Sequence, residues 1–337
     1  MVGLKDVAAL AGVSTATVSR VINATSPVNV ETRDVVEKAI RDLNYRPNRA
    51  AQMLKMQTSQ TIGVVVNRFD SPYFGAILEG VDQALRGVGF KTIAEASNET
   101  EKGQIDALAS LSARQCESFV VHADAVQEDK LVELLQHYPT AVVVNREVPG
   151  YETRCVKLDN IRAGEKAAEH LLQMGHTDIA TVTGPLHLNE IRDRHTGFTS
   201  TLEKHGHALN PDLIYRGNLS PSGGYSAVNE LLDANTSATA VFFHNDMMAA
   251  GGMQACYERG VHVPQDLSFI GFDDLDFAQF MNPPLTTVRQ PMREIGAAAG
   301  QLAHALLGPD FDASATLRPF KADVIERASV LNKTIKN

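Results

Sequence analysis

The sequence has little that would mark it for a membrane, an oxidising compartment or an active site. No apolar run approaches the ~20 residues of a bilayer span, and Met1 to Ala11 shows no basic segment leading into an apolar one, so no secretory signal is expected. Only three cysteines occur, Cys116, Cys155 and Cys256. They are odd in number and far apart, which excludes a complete disulfide set and a cysteine metal-ligand spacing. A reducing cytoplasm is the natural setting. Enzyme motifs are missing as well. The apolar run Thr61–Val66 leads into Asn67-Arg68-Phe69-Asp70 rather than a G-x-G-x-x-G, and there is no P-loop, H-E-x-x-H or G-x-S-x-G. Asp273 and Asp274 are adjacent, with no second carboxylate placed to work with them as acid and base. Neither catalysis, cofactor nor metal is expected.

What is present is a chain of 337 residues, too long for one compact core. Its net charge of −9 speaks against nucleic acid until it is mapped. Residues 1–60 hold eight Lys/Arg against five Asp/Glu, net +3, which leaves −12 for the rest. A basic end on an acidic body fits a DNA-binding head on a core with another task.

The first 46 residues read as three short helices. Leu4 to Ala11 turns Val7, Leu10 and Ala11 to one side, and Gly12 breaks it. Ser14 is an N-cap for a second helix to about Asn23. On that helix Val18, Val21 and Ile22 sit at i, i+3 and i+4 and face inward. The opposite side carries Ala16, Ser19, Arg20 and Asn23, with Thr15 at its leading end. A third helix, from about Val30 to Leu43, stripes Val35, Val36, Ala39, Ile40 and Leu43. Two helices joined by a tight glycine turn form a helix-turn-helix arrangement. Of the outward groups, Arg20 is the one whose guanidinium can take a guanine O6/N7 pair bidentately.

The segments LKDVAALAGVSTATVSRVIN and YRPNRAAQMLK closely resemble the headpiece and hinge of the lactose/galactose repressor family. The resemblance implies that Thr15, Ala16 and Arg20 occupy base-reading positions, and that Leu54 is a wedge that parts the central base step of the minor groove. The hinge, residues 47–60, is too short to be helical alone. It calls for a second copy of the chain and DNA beneath it, hence a homodimer on a palindromic operator. The tail Ser329 to Asn337 carries no heptad repeat, so no coiled-coil tetramer is expected.

From Thr61 the rhythm changes to apolar runs of strand length (Thr61–Val66, Lys91–Ala96, Phe119–Val121, Ala141–Val144, Ile179–Thr183, Thr239–Phe243 and Leu267–Phe272) interleaved with amphipathic helical patterns. This is an α/β core of parallel sheets covered on both faces, in two lobes of periplasmic-binding-protein type. The resemblance covers essentially the whole chain. It implies three crossings, with an N-lobe of about 61–159 plus 290–320 and a C-lobe of about 160–289 plus 321–337.

Ligands of open parallel sheets bind beyond the carboxyl ends of the strands. There the sequence supplies Asn67, Asp70, Tyr73 and Phe74; His122; Asn145; Glu190 and Arg194; His244 and Asn245; and Asp273. Amides and carboxylates able to bridge neighbouring hydroxyls, with aromatics for a ring face, suit a small polyhydroxylated ligand. The resemblance points to Arg194, Asn245 and Asp273 as effector contacts, then Phe74 and Asn145, then His122, Leu219 and Glu190. Asn145 stands where the family often has a carboxylate. It is similar in this to the galactose-repressor branch, as are VVHAD and NREVPGYETRC, so galactose or a related glycoside is the expected effector. Two other readings are a sugar-binding protein without regulatory role and a sugar-active enzyme. The headpiece argues against the first and the missing motifs against the second.

Overall fold

A computed structural model describes residues 2–23, 26–45, 58–309, 311 and 318–334. The hinge, with Leu54, lies outside the described residues. The chain divides into two compact units, residues 1–59 and 60–337.

The first unit holds α1 (Leu4–Ala11), α2 (Thr15–Asn23) and α3 (Val30–Asp42). Asp6 accepts from the Gly3 amide at 2.8 Å at the start of α1, and Gly12, at φ 64°, ends it in a left-handed turn. Ser14 Oγ caps α2 by accepting from Thr17 N at 3.1 Å, and Asn29 caps α3 by accepting from Glu31 N at 3.1 Å. Val7, Ala8, Ala11, Val18, Val36 and Ala39 form the small core. Two inward assignments fail. Leu10 is 53% exposed and Val35 is 48% exposed. The reason is angular. The buried face of α1 is centred between Val7 and Ala8, near Leu4 and Ala11, and Leu10 points about 100° away from it. Val35 stands equally far from the face formed by Val36, Ala39 and Ile40.

The second unit runs β1 (Thr61–Val66), α4 (Pro72–Arg86), β2 (Lys91–Ala96), α5 (Glu101–Ala113), β3 (Ser118–His122), α6 (Glu128–His137), β4 (Ala141–Val144) and β5 (Cys155–Val156). These strands make a parallel sheet in the order β2-β1-β3-β4-β5. There follow α7 (Asn160–Gln173), β6 (Ile179–Thr183), α8 (Asn189–Lys204), β7 (Ile214–Arg216), α9 (Pro221–Asp233), β8 (Ala240–Phe243), α10 (Asp246–Arg259), β9 (Ser268–Asp273), β10 (Thr286–Arg289), α11 (Met292–Ala305) and β11 (Asp323–Ile325). The second sheet has the order β11-β10-β9-β8-β6-β7. Its strands are parallel except β11, which pairs antiparallel with β10. The chain goes back to the first lobe after β10, packs α11 against α4 there, and re-enters the second sheet at its edge from the opposite direction. The inner strands carry almost only buried apolar residues, because helices cover both faces.

One packing feature bears directly on the site. Helices α7 and α8 cross at reciprocal glycines. A Cβ on Gly164 would lie 2.0 Å from the Arg194 carbonyl oxygen, and one on Gly197 would lie 2.0 Å from that of Ile161. Backbone therefore touches backbone at the level of Arg194.

Candidate functional site

The carboxyl ends of β1, β3, β4, β8 and β9 open onto one cavity of about 470 Å³ in the second unit. That volume lies within the ~300–1,000 Å³ usual for small-molecule sites. Phe74, His122, Asn145, Glu190, Arg194, Asn245, Asp273 and Asp70 all line it. They come from segments up to about 200 residues apart in sequence, brought together only because parallel strands end on the same side.

Arg194, on α8, is buried. One of its Nη groups donates to the His244 carbonyl and the other to Asn160 Oδ1 at 3.0 Å. Its guanidinium carbon stands 3.3 Å from the centroid of the Phe272 ring, a cation–π contact, while Nε has no protein partner. Asp273, closing β9 at φ 111°, accepts from Gln290 Nε2 at 2.5 Å. Burial pushes its carboxyl up to about 7, against the opposing pull of Arg194 and of the Gln290 hydrogen bond. Asp246, also buried, accepts from Leu275 N at 2.8 Å and Thr287 Oγ1 at 2.6 Å. Burial and the nearby Asp273 raise it well above the usual carboxylate range.

On the other wall, Phe74 packs edge-on against Tyr73 and His122, each ring centroid 4.9 Å away. Asn145 has φ 63°, uncommon for a residue with a side chain. Its Nδ2 donates to the Tyr73 hydroxyl and its Oδ1 is left without a partner. His122 Nδ1 is 3.6 Å from Asp124 and Nε2 is 3.8 Å from Glu190. Burial alone would lower His122; the Asp124 carboxylate, helped by Glu190, outweighs it and raises the imidazole to about 9. Asp124 also accepts from Asn67 at 2.8 Å and Gln104 at 2.5 Å. Burial opposes its ionisation, but His122 and these donors hold it at about 2. Glu190 is pushed upward by burial.

Two sequence-predicted residues carry structural duties as well. Asn245 caps α10, its Oδ1 accepting from Met248 N at 2.9 Å and its amide donating to the Leu219 carbonyl at 3.0 Å, which leaves one N–H free of these bonds. Asp70 is exposed and holds Arg68 through two oxygens, at 2.8 and 2.7 Å. Sequence reasoning missed Asp124 and Gln290. Asp124 stands two residues past the end of β3, and its signal was the motif VVHAD. Gln290 follows β10, a strand absent from the sequence reading. Asp274, adjacent to Asp273, is taken up by Arg289 and Arg327, both at 2.6 Å.

In the first unit Thr15, Ala16 and Arg20 are exposed on α2, Ser19 is half-buried, and Asn23 closes the helix. Residues 3–48 match the bacterial regulatory proteins of the lacI family, and residues 168–330 match a periplasmic binding protein-like domain. The HTH-type transcriptional regulator GalR of Escherichia coli is 38% identical over 306 residues, 91% of this chain and 89% of the relative. The chain belongs to the lacI family. The HTH-type transcriptional regulator GalS of Salmonella typhimurium is 38% identical over 331 residues, 98% of this chain and 97% of that one. Among solved structures, the lac repressor dimer bound to operator and the anti-inducer ONPF superposes with a TM-score of 0.85 at 26% identity, covering 98% of this chain and 99% of that one. This lacI-family protein is thus a DNA-binding transcription regulator with a sugar-binding-like effector core, and not an enzyme. No described helix is long and apolar enough to cross a membrane.

Proposed function

We propose that this lacI-family regulator is a repressor of carbohydrate-utilisation genes that binds a palindromic operator as a homodimer and is released by a small neutral sugar, galactose or a related glycoside. The observation that carries the reading is the cavity itself. Arg194, with Nε unpartnered, and Asp273 line it from the C-lobe, and Phe74, Asn145, with Oδ1 unpartnered, and His122 line it from the N-lobe. A ligand touching both walls favours one closure angle. It shifts the equilibrium only by its differential affinity for the two states. The similarity to GalR and GalS supports a galactose-type effector, and the similarity to an operator-bound dimer supports the assembly.

On the DNA side, Arg20 reads a guanine, Thr15, Ala16, Ser19 and Asn23 make the shorter contacts of the same helix, and Leu54 wedges the centre of the site. The test has two arms. Thermal-shift screening against a sugar panel identifies the effector, since a ligand that binds only the folded state raises the midpoint by mass action. A gel shift with upstream promoter DNA then shows whether that sugar releases the complex. Failure of every sugar to move the midpoint removes the effector reading, and failure to shift promoter DNA removes the operator reading.

A further inference from the structure

The cavity contains a group of side chains that an uncharged ligand does not require. His122 is 4% exposed, and neither of its ring nitrogens has a hydrogen-bond partner. Two carboxylates flank the ring, Asp124 at 3.6 Å from Nδ1 and Glu190 at 3.8 Å from Nε2. One ligand-capable atom from each of the three residues lies within 4.8 Å of those of the other two. Among the described residues, five carboxyl groups line the cavity, of Asp70, Glu99, Asp124, Glu190 and Asp273, beside two guanidinium groups, of Arg68 and Arg194. Asp124 is held in place from behind by the amides of Asn67 and Gln104. Such outer hydrogen bonds orient a coordinating carboxylate.

We propose that His122, Asp124 and Glu190 form a divalent-cation site inside the cavity, of the kind that takes Zn2+. One imidazole and two carboxylates are a donor set for a borderline metal rather than for Mg2+, which prefers oxygen ligands and retained water. Three protein ligands leave a zinc coordination position open. The site spans the cleft. His122 and Asp124 belong to the end of β3, and Glu190 to the first turn of α8. A bound cation would therefore tie the two lobes together and favour the closed arrangement by itself. No spacing in the sequence announces such a site, because its third ligand lies more than 60 residues away and arrives through tertiary packing.

The experiment is isothermal titration of the full-length, chelator-treated protein with zinc chloride, with magnesium chloride as the control. The expected result is one zinc site per chain, with magnesium far weaker. The near-isosteric variants Glu190→Gln and Asp124→Asn should each weaken zinc at least tenfold, and His122→Ala should abolish it. Melting curves without metal report whether each variant is folded. Absence of zinc binding, or binding that all three variants leave unchanged, overturns the proposal. A parallel sugar titration in chelator separates it from the effector reading. Sugar binding without zinc binding refutes the cation site alone, and zinc binding without sugar binding refutes the effector reading alone.

Discussion

Asp273→Asn tests the effector site most sharply, because the structure gives both a magnitude and a pH signature. Burial pushes the Asp273 carboxyl up to about 7. It therefore passes from mostly protonated to mostly ionised across the neutral range. Sugar hydroxyls that donate to the carboxylate favour its charged form, so binding lowers its pKa and expels a proton. The free protein then holds more protons than the complex across this window, and affinity must rise with pH, by about tenfold between pH 6 and pH 8. The asparagine keeps an oxygen for Gln290 but loses the charged acceptor. That costs ~1.5–3 kcal/mol, or roughly 10- to 150-fold in affinity at pH 8. It should also flatten the pH dependence. His122, at about 9, and Asp124, at about 2, titrate outside the window. Burial raises Glu190 and Asp246 as well, which is why the variant must be measured beside the parent. Calorimetry at three pH values suffices. A parent affinity flat from pH 6 to 8, or a slope that survives in Asp273→Asn, would refute the reasoning.

Arg20→Ala should cost ~1–3 kcal/mol of discrimination at one base pair, read as a narrowing gap between specific and non-specific affinity; an equal fall in both would make Arg20 a phosphate contact. Leu54→Ala should weaken operator binding and leave the dimer, measured by sedimentation, unchanged. Gly164→Ala should cost ~1–3 kcal/mol or more through overpacking, lowering the melting midpoint and weakening sugar binding. The same change at Gly75, where an added Cβ meets nothing within 4 Å, should leave the midpoint level or higher.

The sequence made strand ends legible because fully buried parallel strands are continuous apolar runs, and the residue after each run is polar when it faces a ligand. Asn67, His122, Asn145 and Asp273 were all visible in that way. The edges were not. Strand β5 has two residues, β7 has three, and β11 has three with its first residue exposed, so none carries a pattern. Gln290 was lost with β10, whose threonines are buried without being apolar. Side-chain commitments were also hidden. Nothing in FHNDMMAAG tells whether Asn245 spends its amide on a ligand or on Met248 and Leu219. In the first unit, the errors at Leu10 and Val35 came from counting apolar residues without fixing which pair the face is centred on.

The crossing of α7 and α8 has a mechanical meaning. Between most helices lies a layer of side chains that can change rotamer and absorb a displacement. At Gly164 and Gly197 that layer is missing, and two rigid backbones bear on each other through carbonyl oxygens. Helix α8 carries Glu190 and Arg194 into the cavity, while α7 starts at Asn160, just beyond the strand by which the chain leaves the N-lobe. Arg194 also grips Asn160 directly, at 3.0 Å. A force applied to Arg194 is therefore delivered to the inter-lobe connection with little lost to compliance on the way. The pair works as a stiff lever whose fulcrum is set by two residues without side chains.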